Sequence, residues 1–183
     1  MQGPRYPKEL ESSIGLLDGT IVRIRPIRPD DEMRLIEFSR RLSAETVYLR
    51  FFRRLPALPP EWAHHFANVD YRDRLALVAE TGDSAGAALI AVARYEAMPE
   101  HERVKEVALL VEDRWQGHGL GSILLDRLLD AAAARGIDEF QADVLAENRR
   151  MLDILSRQTE VIHRKTEQGV TEIHVRRRSV GPK

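Results

Sequence analysis

Two textures of hydrophobic patterning divide the chain. Residues 1–18 show no periodicity and mix Pro, Gly, Ser and charge, which predicts a flexible arm. Thr20-Ile21-Val22-Arg23-Ile24-Arg25-Pro26 alternates imperfectly, but its β-branching predicts a strand. Helical spacing follows. Pro29-Asp30-Asp31-Glu32, a proline and three acids, marks a helix start, continued by Leu35, Ile36, Phe38 and Leu42. Ser43 with Glu45 and Thr46 opens a second helix through Val47, Tyr48, Phe51 and Phe52, and Pro59-Pro60-Glu61 a third through Trp62 and Phe66.

Beyond residue 73 the apolar positions come mostly as short runs. Arg74 to Thr81 and Gly86 to Tyr95, separated by Gly82-Asp83-Ser84, predict a hairpin, and Val104 to Val111 a third strand. After the turn Gln116-Gly117-His118-Gly119-Leu120-Gly121, the positions Ile123, Leu124, Leu128, Leu129 and Ala132 share one helical face, ending at Arg135-Gly136. Phe140 to Leu145 predicts a strand, and Asn148 caps a helix carrying Met151, Leu152 and Leu155. Val161 to Lys165 and Val170 to Val175, around Gly169, form a terminal hairpin. The order is β, helices, β-β-β, α, β, α, β-β with no internal repeat: a mixed α/β sheet in one domain over residues 19–178, with a tail at 179–183.

Composition narrows the function classes. A length of 183 residues fits one domain, and 43% hydrophobic with 31% charged residues fits a folded soluble protein. Zero cysteines exclude a disulfide framework, thiolate zinc sites, iron–sulfur clusters and a Cys nucleophile. With 28 basic and 29 acidic residues there is no global field to hold nucleic acid. The polar N-terminus has no secretory h-region, and the longest apolar run, Ala85 to Ala93, is far short of the ~20 residues that span a bilayer, so a cytoplasmic protein without membrane contact is expected. His64-His65 has no third ligand at metal spacing, and no metal is expected.

The glycine turn carries the most chemistry. Glycines let a backbone turn sharply and approach a ligand, and a helix N-terminus presents unpaired N–H groups at the positive dipole end, so the turn predicts a phosphate site. A plain tight turn is the bland alternative. No Lys follows Gly121, which excludes a Walker loop, and a dinucleotide fingerprint would need glycine where Ser122 stands.

Gln116-x-x-Gly119-x-Gly121 resembles the pyrophosphate loop of the GNAT superfamily of N-acetyltransferases. The resemblance extends upstream to Glu106-Val107-Ala108-Leu109-Leu110-Val111 and downstream to Ala146-Glu147-Asn148. Arg25-Pro26-Ile27-Arg28-Pro29-Asp30-Asp31-Glu32 and Leu42-Ser43-x-Glu45-Thr46-x-Tyr48-Leu49-Arg50-Phe51-Phe52 are similar to the Pat-type bacterial protein-lysine acetyltransferases. The resemblance implies a mostly antiparallel sheet with a splayed parallel strand pair, flanked by helices, and acetyl-CoA as co-substrate. Backbone groups of Leu109, Leu110 and Val111 would pair with the pantetheine arm. Gln116 and the N–H groups of Gly117, His118, Gly119, Leu120, Gly121 and Ser122 would hold the pyrophosphate. Asn148 would reach the cofactor, cap its helix, or do both.

Glu106 is the expected general base, as in the Pat-like branch. Alternation places it with Val104, Ala108 and Leu110 on one apolar face, where desolvation would raise its pKa. The structural alternative pairs it with Arg103 or Lys105, while Glu112 and Asp113 are expected to be solvated in the turn. The helix from Asn148 to Gln158 lacks the tyrosine that many relatives use as acid, and Arg157-Gln158-Thr159-Glu160 departs from their Leu-Gly-Phe. Tyr48, Phe51 and Phe52 read first as core, although the resemblance implies that their helix flanks the acceptor groove and that one of them would line it, and Arg176-Arg177-Arg178 read as a solvated edge. The expected activity is acetyl transfer to a primary amine, a protein lysine or a small molecule, in a chain compatible with homodimerisation. A non-catalytic acyl-CoA-binding module is the alternative, and a nicotinamide-dependent oxidoreductase rests on glycine spacing alone.

Overall fold

The structure, a computed structural model, describes residues 4–16, 18–82 and 86–178. Its eight strands are β1 (Ser12–Gly15), β2 (Ile21–Pro26), β3 (Leu75–Thr81), β4 (Ala88–Met98), β5 (His101–Val111), β6 (Glu139–Leu145), β7 (Thr159–Glu167) and β8 (Val170–Arg177). They form one sheet in the order β1-β2-β3-β4-β5-β6-β8-β7, and β5–β6 is its parallel pair. The helices are α1 (Glu32–Arg40), α2 (Ala44–Phe51), α3 (Pro60–Ala67), α4 (Leu120–Ala133) and α5 (Arg149–Gln158).

The apolar periodicities fix these elements. α4 turns Leu124, Leu125, Leu128, Leu129 and Ala132 into the core, where it packs on β3, β4 and β5. α1 buries Leu35, Ile36 and Phe38 and packs on β4 and α3. Tyr95, Phe38 and Phe140 are the largest side chains that are fully buried.

Several boundaries depart from the pattern for physical reasons. Pro29–Asp31 forms a 3-10 turn, and α1 starts only at Glu32, because the Asp31 carboxylate turns back to accept from Arg28 N (2.9 Å) and from the buried Arg25 guanidinium (2.7 Å). Arg25 also donates to Glu80 (3.0 Å), and Arg34 donates to Asp31 (2.9 Å) and Glu80 (2.8 Å), closing a four-residue ionic box beneath β2 and β3. β4 and β5 outrun their apolar cores at the connecting end, past a bulge at Ala97/Met98. β4 lies between β5 and its expected hairpin partner β3; Asp83 and Ser84 of the β3–β4 turn lie outside the described residues, as do the tail residues 179–183.

The segment read as an arm carries a strand. β1 pairs antiparallel with β2, from Ser12↔Ile24 to Gly15↔Ile21. Four residues that alternate half-buried and exposed give too short a pattern to register; the segment is held by Glu11, which accepts from Tyr6 Oη (2.8 Å), Arg23 (2.9 Å) and Arg28 (3.1 Å). At the other end, β7 is the edge and β8 lies inside the sheet. Arg176 and Arg177 are therefore not a bare solvated edge: they pair with Glu139 and Asp130.

Candidate active site

β5 and β6 share three registered pairs, Val104↔Glu139, Lys105↔Phe140 and Glu106↔Gln141, and then part. Beyond that point β5 stays paired to β4 through Ala93↔Leu109, Val92↔Leu110 and Ala91↔Val111, while β6 stays paired to β8. The backbone edges of Leu109–Val111 and Ala142–Val144 face each other across a cleft of about 270 Å³. Its far wall is the start of α4 and α5.

The glycine loop leaves that wall rich in backbone donors. Gly117 (φ +84°) and Gly119 (φ +82°) are left-handed, the conformation that favours glycine. Gly119 is the N-cap of α4, no side chain caps the helix, and no acid stands in its first turn, so its first amides are free for a ligand. A Cβ on Gly121 would meet Leu109 Cδ2 at 3.2 Å and Val111 Cγ2 at 3.4 Å, so the missing side chain keeps this end of the cleft open. The expected side chains divide. His118 is exposed near Trp115 and Leu120 is fully buried in the core, so these two residues offer the cleft only backbone. Gln116 anchors the loop: its amide donates to Val111 O (3.0 Å) and Thr46 Oγ1 (3.2 Å), and its carbonyl accepts from Arg150. Asn148 lines the cleft and caps α5, accepting from Met151 N (3.2 Å).

Glu106 stands where the two strands separate, with Glu96 opposite on β4 and Gln141 opposite on β6. Alternation placed it in an apolar, desolvated setting; the side chain is instead exposed, because the splay opens beside it. It forms no hydrogen bond or ion pair among the described residues. Lys105 points to the other face, 5% exposed, and pairs with Asp73 (2.9 Å), so pairing with Glu106 is not its role. Above Glu106, the half-buried Arg50 of α2 also lacks a hydrogen bond or ion pair; burial lowers its pKa, and the Glu106 and Glu96 carboxylates oppose that shift.

Two further expectations are corrected. Glu112 is not solvated but 4% exposed, bound to Arg41 (3.0 Å) and Arg114 (2.7 Å). Asp113 is exposed but committed: it accepts from Ser43 Oγ (2.6 Å) and Thr46 Oγ1 (2.8 Å), which pins the start of α2 to the turn after β5. Burial would raise the Asp113 carboxyl, yet the hydrogen bonds from Ser43 and Thr46 hold it low. Tyr48 and Phe52 are exposed rather than core, since Tyr48 leaves the buried face of α2 and Phe52 is its left-handed C-cap; Phe51 packs against the core as expected.

Sequence reading missed Thr46, Arg50, Asp143 and Arg150, which line the cleft. Partial desolvation, then the neighbouring Glu172 carboxylate, raises the Asp143 carboxyl. A signal for Arg150 was present: Arg149-Arg150 occupy the first turn of α5, where the helix dipole favours acids, a local cost that an anionic ligand would offset. No tyrosine lines the cleft among the described residues; Tyr95 and Tyr71 donate instead to the carbonyls of Arg72 and Ile27.

Residues 36–157 match the model of the acetyltransferase (GNAT) family. The chain belongs to the GNAT family. Acetyltransferase PA5475 of Pseudomonas aeruginosa is 31% identical over 137 residues, covering 75% of this chain and 73% of that protein. The crystal structure of the GNAT domain of S. lividans PAT superposes with a TM-score of 0.82 at 34% identity, over 94% of this chain and 99% of that one. Acetyltransferase Pat of Mycolicibacterium smegmatis is 33% identical over 134 residues, 73% of this chain but 39% of that longer protein. These relatives place this GNAT chain in the Pat-type branch, as an acyl-CoA-dependent N-acetyltransferase with an amine acceptor. The open mixed sheet with its one splayed parallel pair is the GNAT fold, and the nicotinamide alternative falls away.

Proposed function

We propose that this GNAT enzyme transfers the acetyl group of acetyl-CoA to the side-chain amine of a protein lysine, with Glu106 as general base. The observation that carries the proposal is the end of β5–β6 pairing at Glu106, which joins one carboxylate to a cleft floored by free helix amides. The open edge of Leu109–Val111 takes the pantetheine amides as an added strand. The amides of residues 117–122, with Arg150 and Asn148 nearby, hold the pyrophosphate. Acetyl-CoA supplies an acyl carbon already activated as a thioester.

The remaining work falls to this chain. A free lysine, pKa about 10.4, is almost wholly protonated near neutral pH. Glu106 accepts the first ammonium proton, directly or through one water, which frees the nitrogen lone pair to form the C–N bond; the C–S bond breaks, and the second N–H proton passes through water to the departing CoA sulfur. On the β6 side of the cleft, Asp143 lies in register with Glu172 of β8, and these carboxylates, with Glu106 unpaired among the described residues, favour a cationic acceptor. The test is a CoA-release assay over small amines and acyl-CoA synthetases, with acetyl-lysine mapped by mass spectrometry. CoA release that tracks lysine modification is expected. Acetyl-CoA binding without transfer to any acceptor would instead indicate a non-catalytic module.

A further inference from the structure

The cleft has a side branch. Behind Ala108–Leu110, between the sheet and α1, α2 and α3, lies a cavity of about 40 Å³ with apolar walls that include Leu35, Phe38, Phe66 and Val92. It shares Arg50, Ala108, Leu109 and Leu110 with the main cleft, so Arg50 stands at the junction.

Two guanidiniums line this largely apolar space, together with Ser39, whose hydroxyl is committed to Ile36 O and Leu58 N. Arg94 is 6% exposed, sits 4.1 Å over the Phe66 ring and pairs with Glu96, yet its buried Nε has no partner. Arg50 has no hydrogen bond or ion pair among the described residues, only its stacking on Phe51. With Arg74, whose Nε is also buried without a partner, three cations stand against the two carboxylates Glu96 and Glu106. His65 contacts Glu96 (3.2 Å) and adds no negative charge. Burial pushes the Arg94 pKa down to about 10; Glu96 opposes that shift, and Arg50 and Arg74 add to it. An unpaired donor and an excess cation away from water are both costly, and an anion would relieve both. The size of the branch limits that anion. One water needs roughly 10–15 Å³ by a comparable measure, so about three heavy atoms fit, the size of a carboxylate.

We infer that this branch receives the terminal carboxylate of a short dicarboxylic acyl group, malonyl or succinyl, carried on CoA, and that the enzyme transfers such groups to its amine. The inference rests on the proposal that acyl-CoA lies along β5. The chemistry keeps its balance: Glu106 takes the first proton from the ammonium, the amine nitrogen bonds to the thioester carbon, the C–S bond breaks, and the second N–H proton, lost as the amide forms, passes through water to the departing sulfur, so that CoA leaves as the thiol. The distal carboxylate does not react. It exchanges water for Arg94 and Arg50, which a methyl-terminated chain of equal length cannot do.

The experiment compares kcat/KM for acetyl-, butyryl-, malonyl- and succinyl-CoA with one protein acceptor, alongside the Kd of CoA by calorimetry. Butyryl-CoA is the uncharged control of the same carbon count as succinyl-CoA. A charge-assisted bond predicts that malonyl- or succinyl-CoA exceeds butyryl-CoA by about tenfold or more, and that Arg94→Met lowers that ratio by a similar factor. Arg50→Gln, at the junction, tests the same ratio should Arg94→Met fail to fold. Butyryl-CoA equal to or better than both dicarboxylic thioesters in the unaltered protein would overturn the inference, as would an unchanged ratio in the folded variants. If CoA binds and acetyl transfer proceeds without dicarboxylic preference, the side-branch inference alone fails. If neither CoA nor any acyl-CoA binds, it falls together with the placement along β5.

Discussion

Glu106 owes its position to neighbours that stop pairing, and the predictions at the scale of single residues follow from that. Glu106→Gln keeps shape and reach but accepts no proton, so kcat near neutral pH should fall by about 10² to 10⁴, with acetyl-CoA affinity little changed. Part of the loss should return as pH rises and the amine deprotonates unaided. Retention of more than about half the rate from pH 6 to 9 would assign the base elsewhere. Gly119 and Gly121 serve the loop differently, and valine separates them. At Gly119 nothing lies within 4 Å of a Cβ, but φ is +82°, so Gly119→Val should strain the turn by about 1–2 kcal/mol and weaken CoA binding while the domain stays folded. At Gly121 the new side chain meets Leu109 and Val111, so affinity should suffer more than the melting temperature does. Calorimetry with CoA and a thermal melt check both.

Among the elements, Gln116 joins more than any other residue of the loop: its side chain bridges the end of β5, the start of α2 and the first turn of α5. Gln116→Ala should leave each element intact but untie them, weakening CoA binding by about tenfold, as the loss of two or three hydrogen bonds would. Unchanged affinity would mean that the glycines alone set the loop. The order of elements was legible because each carries its own apolar period, and the loop because glycines and Gln116 mark it. Other features depend on what a one-dimensional pattern does not hold. β1 is docked by Glu11, a charge far along the chain from Arg23 and Arg28. The splay is the absence of a backbone ladder, and no side-chain alternation encodes where pairing stops; that is why Glu106 was expected to be desolvated. Arg50 and Arg94 meet only because α2 folds over β4 and β5. Glu112 is buried against Arg41, the C-cap of α1, a partner that lies far back along the chain.

For the molecule as a whole, ionic ties near β2 set the response to acid. Burial would raise the Asp31 and Glu80 carboxyls, but hydrogen bonds from Arg25, aided by Arg34, hold both below their ordinary values. Glu11 is held at about 2, chiefly by Arg23 and Tyr6. A depressed folded pKa contributes stability that is complete above the unfolded value and lost as pH falls through the folded one. The melting temperature should therefore be level with respect to these groups above about pH 5 and fall as the pH drops from about 4.5 towards 2. Asp31→Asn leaves the Arg25 guanidinium, 2% exposed, without half of its compensation, and should cost about 3–5 kcal/mol at pH 7. Its acid slope should also be shallower than that of the unaltered chain. An identical slope would place the acid-sensitive ties elsewhere.

The three pairs that join β5 to β6 are, among the described residues, the whole backbone ladder between a five-stranded leaf and a three-stranded one. The sheet is thus a book held by a short spine, and the free protein should open along that line before either leaf frays. A ligand bonded to Leu109–Val111 works as binding thread: it lengthens the spine without touching the covers. Amide hydrogen exchange should record this as slowing concentrated at residues 107–111 when CoA is added, with the amides of β2 and β3 unmoved.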